Sequence, residues 1–242
     1  MQQRVRTFTD QESLSLAAAH ELSAVVCRAV EQRGCCSLVL SGGSSPLRLY
    51  ELLAKPPFSS QIEWEKIHIF WSDERCVGPD DERSNYHCAR TCLLEHVPLP
   101  FANIHRMPGE IDPQQAALKS SADVRSFFGE YSFAPGHFPS FDCVLLGMGA
   151  DGHVASLFPG DDNALQTEDL VIATRAPEGI PVSQRLSMSL SLLAAARDIF
   201  FVVWGRDKQP VLQQVLAGSP AAQYYPASRI CERARTVWFV AP

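Results

Sequence analysis

The segment 147–153, GMGADGH, carries a histidine among glycines directly after an apolar run. A histidine side chain has an unperturbed pKa of about 6.5, so a histidine exposed in a crevice can act as a base at neutral pH. Asp151 lies two residues before His153 and is able to orient or polarise the imidazole ring. His68 and His105 instead lie in or beside predicted strands, where we expect structural roles. The spacing therefore predicts general-base chemistry at His153.

A glycine-rich turn precedes a helix earlier in the chain, in the sequence SGGSSP at 41–46. Glycines let a backbone approach a ligand closely, free N–H groups bind anions, and the helix dipole favours negative charge. The segment lacks the lysine spacing of a P-loop and the G-x-G-x-x-G pattern, so neither nucleotide fingerprint applies. It predicts either a phosphate site or an ordinary strand-to-helix turn. The candidate phosphate ligands are Ser41, Gly42, Gly43 and Ser44.

Charged side chains lie next to predicted strands in three further segments. The triplet Asp73-Glu74-Arg75 ends a predicted strand, Arg185 precedes the strand-like LSMSL, and Lys208 follows a strand near a helix start. An arginine can form a two-pronged contact with a phosphate or a carboxylate, although a lone charged triplet is usually a solvated loop and a lone cation is often a surface residue. If these cations share one pocket in a chain that is acidic overall, they predict a small anionic substrate.

Strands alternating with helices must position these residues. Thr9 and Glu12 form a capping-box pattern for a helix that ends at Gly34, Pro46 starts a helix after the glycine turn, and residues 73–83 are expected to be a polar loop. Ser84 caps a helix that runs to about Glu95, and Pro113 starts one that runs to about Glu130. The predicted strands are 36–41, 66–71, 141–146, 170–174, 198–204 and 236–240.

Continuous apolar strands between helices predict an α/β fold, a mostly parallel sheet with helices on both faces, in a single domain over 1–242. Ligands bind such sheets at the carboxyl ends of the strands, where loops and helix N-termini converge. The polar segments 41–45, 72–87, 147–153 and 204–208 each follow a predicted strand. We therefore expect all four segments to meet in one crevice.

Composition excludes several other classes of protein. The 242 residues include 21 Lys and Arg against 27 Asp and Glu, a formal charge of −6, which argues against nonspecific binding to nucleic acid or to an anionic membrane. No stretch approaches the roughly 20 apolar residues of a membrane span, and the N-terminal sequence is too polar for a signal peptide. We expect a cytoplasmic protein.

The eight cysteines are expected to be reduced thiols, because the chain shows no secretion signal and several of them lie in apolar runs. Cys88, Cys92 and His96 have the spacing i, i+4, i+8 and could offer metal ligands on one helix face. Inward-packed thiols are the favoured alternative, because Pro98 ends that helix near His96. We expect no bound metal.

Five segments together resemble the 6-phosphogluconolactonase family, in that family's order and spacing across nearly the whole chain. They are SGGSSP (41–46), FWSDERCVGPDDERSNY (70–86), FDCVLLGMGADGHVASLFPG (141–160), QRLSMSLSLL (184–193) and WGRDKQPVLQQVL (204–216). The resemblance implies hydrolysis of 6-phospho-D-glucono-1,5-lactone to 6-phosphogluconate in the oxidative pentose phosphate pathway. It also implies the Rossmann-like fold shared with glucosamine-6-phosphate deaminase.

The resemblance also implies roles for individual residues. His153 matches the family's general base, Asp151 matches the aspartate beside it, and Arg75 matches an arginine that stabilises substrate charge or the developing oxyanion. The implied substrate- and phosphate-binding positions are Ser41, Gly42, Gly43, Ser44, Asp73, Arg185 and Lys208. Hydrolysis of a lactone requires a positioned water, a base and oxyanion stabilisation, so no cofactor is expected. The expected partner is a sugar-phosphate lactone, and the expected assembly is a monomer or a weak homodimer.

Two alternatives remain at this point. A glucosamine-6-phosphate deaminase would share the glycine turn, the D-G-H segment and the late lysine, but it uses a glutamate where this chain has Phe158 before Pro159. Phenylalanine cannot accept a proton. A sugar-phosphate-binding module without catalysis would keep the pocket but would not need a base beside the carbonyl.

Overall fold

A computed structural model of the protein describes residues 4–129, 137–231 and 235–242. Its strands are β1 (Arg4–Thr7), β2 (Cys36–Leu40), β3 (Ile67–Trp71), β4 (Asp73–Arg75), β5 (Ile104–His105), β6 (Cys143–Leu146), β7 (Val171–Arg175), β8 (Gln184–Met188), β9 (Asp198–Trp204) and β10 (Arg235–Ala241). Its α-helices are α1 (Gln11–Arg33), α2 (Leu47–Leu53), α3 (Phe58–Gln61), α4 (Asn85–Cys92), α5 (Pro113–Phe128), α6 (Asp162–Gln166), α7 (Leu190–Ala194), α8 (Gln209–Leu216) and α9 (Pro226–Cys231). Short 3₁₀ turns cover Trp64–Lys66, Leu94–His96, Phe101–Asn103, Arg206–Lys208 and Pro220–Tyr224.

A seven-stranded sheet in the order β1-β10-β9-β6-β2-β3-β5 forms the centre of the described fold, and every neighbouring pair is parallel. The predicted mostly parallel sheet is confirmed. Successive side chains of its central strands enter two apolar clusters on opposite faces: Val144 and Leu146 pack in one, and Cys143 and Leu145 in the other. This alternation explains the continuous apolar runs, because both faces of a covered parallel sheet are buried.

Helix α1 covers one face of the sheet with its buried residues, among them Leu14, Leu22 and Val26. Its N-cap is Asp10, whose carboxylate accepts a hydrogen bond from the backbone N of Ser13, so the predicted cap at Thr9 is wrong by one residue. The helix ends at Gly34 as predicted, in the left-handed conformation. By length and composition it is the one described helix that could cross a membrane, but 56% of the apolar window is buried within the fold.

A second sheet, antiparallel and in the order β4-β8-β7, packs beside the parallel one. The predicted polar loop over 73–83 is therefore wrong at its start, because residues 73–75 pair with 185–187 of β8. Arg185, predicted to precede a strand, lies inside β8. A three-residue strand is too short to show an alternation of apolar and polar residues. Its pairing also joins residues more than a hundred positions apart in the chain.

Helix α4 begins where predicted, because the Ser84 hydroxyl accepts a hydrogen bond from the backbone N of His87. It ends at Cys92, earlier than predicted, and His96 lies in a separate 3₁₀ turn with its Nε2 2.9 Å from the carbonyl oxygen of Thr91. Cys88, Cys92 and His96 are therefore not on one continuous helix. Within the part of the chain that is described, no group of three His, Cys, Asp or Glu side chains could hold a metal ion.

Candidate active site

A cavity of about 240 Å³ opens at the carboxyl edge of the parallel sheet, beside β2 and β6. The chain runs outward from β2 to one side and from β6 to the other, so this is the position where ligands bind open α/β sheets. All four predicted segments contribute to its wall, which confirms the expected single crevice. The predicted site residues that line it are Ser41, Gly42, Gly43, Ser44, Asp73, Arg75, His153 and Lys208.

His153 reaches this cavity from the turn after β6, and Asp151 supports it from the same turn. The His153 Nδ1 lies 2.6 Å from Asp151 Oδ1, and the backbone N of His153 donates to the same oxygen at 3.2 Å. Burial raises the pKa of the Asp151 carboxyl, but the hydrogen bonds and charge of His153 outweigh burial and lower the pKa overall. Asp151 is thus placed to orient the ring through Nδ1, which leaves Nε2 for the cavity.

Phe158 packs against the imidazole ring of His153, with ring centroids 4.9 Å apart and a tilt of 45°. The Phe158 side chain is buried, with 6% of its surface exposed. The position at which a deaminase would need a carboxylate beside the histidine is therefore occupied by an apolar ring.

The glycine turn is fixed at its start by Tyr50. The Ser41 backbone N donates to the Tyr50 hydroxyl at 3.1 Å, and that hydroxyl donates to the Ser41 carbonyl at 2.7 Å. Gly42 follows in close contact with Asn85: a Cβ added at Gly42 would lie 1.9 Å from Asn85 Oδ1. Only glycine permits this approach.

Asp73 is buried at the cavity wall, where it is held by hydrogen-bond donors that were not predicted from the sequence. Its Oδ2 accepts from the Ser156 hydroxyl at 2.7 Å, and its Oδ1 accepts from Asn85 Nδ2 at 3.1 Å. Asn85 Nδ2 also donates to the Asp73 carbonyl oxygen at 2.9 Å. Both donors lie within the motif segments 70–86 and 141–160, so their location in those segments was the available signal. Asp73 presents an acceptor to the cavity, which suits a hydroxyl group rather than a phosphate.

Glu74, the residue next to Asp73, organises the start of α4 instead of lining the cavity. Its carboxylate accepts from the backbone N atoms of Arg75, Asn85 and Tyr86 at 2.7–2.8 Å and from the Ser84 hydroxyl at 2.9 Å. Burial raises its pKa even though these hydrogen bonds oppose the shift. This carboxylate therefore fixes the position of β4 relative to α4.

Two cationic side chains face the cavity. Lys208 Nζ donates to the Ser45 hydroxyl at 3.2 Å, and burial lowers its pKa while the charge of Asp207 partly opposes this. Arg75 Nη1 donates to the carbonyl oxygen of Arg83 at 2.5 Å. A lysine whose charge is partly desolvated gains more from an anion than a fully hydrated one does.

Arg185 is not among the residues that line the cavity. It is the register partner of Arg75 across β4 and β8, and its Nη2 donates to the Pro181 carbonyl at 3.0 Å. Burial lowers its pKa, and the charge of Arg75 adds to this. Its buried Nη1 has no hydrogen-bond partner among the described residues. The charges of the two guanidinium groups oppose each other, and the carboxylates of Asp73 and Glu74 partly offset them.

Comparison with known proteins adds to this geometry. The model of the family described as glucosamine-6-phosphate isomerases/6-phosphogluconolactonase matches residues 9–238. The 6-phosphogluconolactonase of Nostoc sp. is 38% identical over 241 residues, which cover 99% of this chain and 96% of the relative. That of Synechocystis sp. is 40% identical over 216 residues, which cover 89% and 85%.

Solved structures agree with these sequence matches. The crystal structure of 6-phosphogluconolactonase from Thermotoga maritima has a TM-score of 0.82 at 28% identity and covers 100% of both chains. A monomeric glucosamine-6-phosphate deaminase has a TM-score of 0.81 at 18% identity, covering 97% and 95%, and shares the fold.

The parallel sheet, with an Asp-paired histidine, an arginine and a lysine lining a cavity at its carboxyl edge, defines a Rossmann-like α/β protein. The family match and the relatives that share most of its length make the assignment more specific. The chain belongs to the glucosamine-6-phosphate isomerase/6-phosphogluconolactonase family.

Proposed function

We propose that this protein hydrolyses 6-phospho-D-glucono-1,5-lactone to 6-phosphogluconate, with His153 as the general base. The observation that carries the proposal is the shared cavity: His153, paired with Asp151 through Nδ1, lines the same wall as Lys208, Arg75 and the glycine turn. The choice of substrate is supported by the relatives that match most of the chain, which are named 6-phosphogluconolactonases.

In the first step, water attacks the lactone carbonyl carbon and gives a proton to His153 Nε2. Asp151 accepts a hydrogen bond from Nδ1–H, which holds the ring in the required tautomer and stabilises the imidazolium that forms. The carbonyl oxygen takes the negative charge as the tetrahedral intermediate forms. Arg75 at the cavity wall is the cation assigned to that oxygen.

In the second step, the intermediate collapses and the bond between the carbonyl carbon and the ring oxygen breaks. The ring oxygen receives the proton from His153 Nε2 and becomes the C5 hydroxyl, so the histidine returns to its starting state. The new carboxylic acid then loses its proton to solvent. The base is thus regenerated without any group outside the site.

The phosphate is assigned to Lys208 and to the glycine turn, because Lys208 Nζ already contacts Ser45 at the end of that turn. Arg185 is assigned a supporting role through Arg75, its partner across the strands. Asp73, with its carboxylate fixed by Ser156 and Asn85, is assigned to a sugar hydroxyl. When the phosphate at one end of the substrate is bound there, the lactone carbonyl at the other end lies beside His153.

Deamination of glucosamine-6-phosphate is disfavoured by Phe158. Its ring packs on His153 at the position where the deaminase has a glutamate, so the proton-accepting pair of that reaction is absent here. Lactone opening needs no second carboxylate at this position.

The test follows disappearance of the lactone by NMR at mildly acidic pH, because the lactone also opens spontaneously. Wild type, His153→Ala, Lys208→Ala and buffer alone are compared, with His96→Ala as a matched control because His96 is exposed and does not line the cavity. We expect wild type and His96→Ala to accelerate opening equally. His153→Ala should lower kcat by about 10²- to 10⁴-fold with little loss of phosphate-ligand binding, and Lys208→Ala should chiefly raise KM.

Equal decay in all samples would overturn the proposal. Glucosamine-6-phosphate turnover and simple ligand binding would then be measured with the same variants. If His153→Ala and Lys208→Ala changed kcat and KM alike, the lactonase would stand but the two assigned roles would not.

A further inference from the structure

Tyr225 packs directly behind the turn that carries His153. A Cβ added at Gly152, the residue between Asp151 and His153, would lie 2.5 Å from Tyr225 Cδ1, 2.8 Å from its Cγ and 2.9 Å from its Cβ. The aromatic side chain therefore fills the space that any side chain at position 152 would need. Gly152 also has a φ of +83°, a conformation that other residues rarely adopt.

The turn is held from within and from behind. Gly152 N donates to the Gly149 carbonyl at 3.0 Å, and Gly149 N donates to the His153 carbonyl at 3.0 Å. From α9, Ala227 N donates to the Gly152 carbonyl at 3.3 Å. The peptide of Gly152 thus lies between its own turn on one side and Tyr225 with Ala227 on the other. Without the Tyr225 ring, the Gly152 peptide could shift and carry the His153 side chain out of its present orientation.

Tyr225 is itself anchored to the helix that follows Lys208. Its hydroxyl donates to Gln214 Oε1 at 3.1 Å, and Gln214 lies on α8. Lys208 ends the 3₁₀ turn that leads into α8 and contacts Ser45 across the cavity. One connected set of contacts therefore runs from the His153 turn through Tyr225 and α8 to Lys208.

From this geometry we propose that Tyr225 is a positioning residue for His153. Its ring fixes the Asp151-Gly152-His153 turn, and its hydroxyl joins that turn to the helix next to Lys208. The ring contact with Gly152 carries this role, and the exposed hydroxyl contact with Gln214 adds little to it. The kinetic part of this inference rests on the proposed lactonase function. A displacement of a reacting group by about 1 Å can cost about 10²-fold in rate.

The test combines Tyr225→Ala and Tyr225→Phe with His153→Ala in a double-mutant cycle. Tyr225→Ala should lower kcat by about 10- to 100-fold with KM within about threefold, whereas Tyr225→Phe keeps the ring and should stay within about threefold of wild type. In the His153→Ala background, Tyr225→Ala should change kcat by less than about twofold, because its effect acts through His153. Tyr224→Ala is the matched control: Tyr224 is adjacent and 61% exposed, its ring packs edge-on against that of Tyr225, and none of its atoms is among the three nearest to a Cβ added at Gly152.

A spectroscopic readout separates this inference from the lactonase proposal. The Nδ1 proton between His153 and Asp151 should give a low-field NMR signal, assigned by its loss in His153→Ala. We expect the signal to be unchanged in Tyr225→Phe and Tyr224→Ala, and shifted or broadened in Tyr225→Ala. An unchanged signal in Tyr225→Ala would overturn the positioning role whatever the substrate is.

Equal kcat losses for Tyr225→Ala in both backgrounds would also overturn it, because they would indicate a general structural effect. If His153→Ala retains full activity, the base assignment fails, and the NMR signal alone decides the role of Tyr225. If Tyr225→Ala does not fold, Tyr225→Leu takes its place in both experiments, because leucine fills most of the volume without a flat ring.

Discussion

One carboxylate oxygen, Asp151 Oδ1, contacts both the ring Nδ1 of His153 at 2.6 Å and the backbone N of His153 at 3.2 Å. The ring and the main chain of the histidine are therefore fixed by the same atom. Because the two residues are separated only by Gly152, a small change in the turn alters both contacts together. The short spacing in sequence is thus the origin of the ring orientation.

Asp151→Asn should lower kcat by about 10²- to 10³-fold and leave KM within about threefold. An amide cannot stabilise the imidazolium as a carboxylate does, and its NH₂ group can turn the ring to the wrong tautomer. Steady-state kinetics on the lactone check this, with Asp169→Asn as control, since Asp169 is exposed and does not line this cavity. A kcat within threefold of wild type would show that Asp151 is dispensable for the base.

Lys208→Met should weaken substrate binding and at the same time stabilise the folded protein. Burial lowers the pKa of Lys208 below its ordinary value of 10.5, so the folded state binds this proton less tightly than the unfolded chain. The charge therefore costs stability at neutral pH, and the free energy of unfolding rises with pH between the folded pKa and 10.5. Removing the charge should raise KM about tenfold or more and raise Tm by about 1–4 °C at pH 7.

The Tm advantage of Lys208→Met should shrink as pH is raised from 7 towards 10, because wild type then loses its buried charge as well. Thermal melts across this range check the sign, with Lys119→Met as the control at an exposed lysine. A lower Tm for Lys208→Met at pH 7 would mean that the contact with Ser45 outweighs the cost of burying the charge.

The sequence predicted the parts of this molecule whose physical cause is local. The central strands β2, β6 and β9 are continuous apolar runs because both faces of the sheet are covered, and this pattern is readable without a partner. The edge strand β1 was missed, since its four residues are mostly exposed and alternate with arginines. Strand β4 was missed because its pairing with β8 is a long-range event.

The candidate site divides in the same way. His153, Lys208 and the glycine turn were predicted because each follows a strand, and strand ends converge by topology. Three other residues of the site were not predicted, because their roles come from contacts with distant parts of the chain. Asn85 contacts Gly42. Ser156 binds Asp73, 83 positions away, and Tyr225 contacts Gly152, 73 positions away. Arg185 was predicted as a substrate- or phosphate-binding residue; it is the cross-strand partner of Arg75 and is not among the residues that line the cavity, so its role stays a prediction.

A histidine pair at the edge of the sheet should make stability depend on pH. His68 Nδ1 lies 3.1 Å from His105 Nε2, and His105 Nδ1 lies 3.0 Å from Asp123. Burial lowers the pKa of His68, and the neighbouring His105 lowers it further. The unfolded chain binds this proton more tightly, so the free energy of unfolding falls as pH drops from about 6.5 towards the folded pKa.

His68→Gln removes this proton-binding difference. Urea unfolding at pH 7.5 and pH 5.0 should show wild type losing more stability than His68→Gln between the two pH values. His96→Gln, at an exposed histidine, should follow wild type. Parallel losses in wild type and His68→Gln would place the acid sensitivity elsewhere.

Gly42→Ala should disable the site through Asn85. The new Cβ would lie 1.9 Å from Asn85 Oδ1 and 2.6 Å from its Nδ2, and that Nδ2 is already committed to Asp73. Because the side chain is buried and tied, it can yield only by releasing the Asp73 carboxylate. We expect kcat/KM to fall about 10²-fold and the free energy of unfolding to fall by about 1–3 kcal/mol.

Asn85→Ala removes the collision but also removes the tether on Asp73. Adding Gly42→Ala to Asn85→Ala should therefore cause little further loss of stability, and activity should stay at the low level of Asn85→Ala alone. Gly78→Ala is the matched control, since a Cβ there meets nothing within 4 Å and its φ is not positive. Kinetics and urea unfolding of the four variants check both parts. If the two substitutions reduce stability additively, Gly42 is constrained by something other than Asn85.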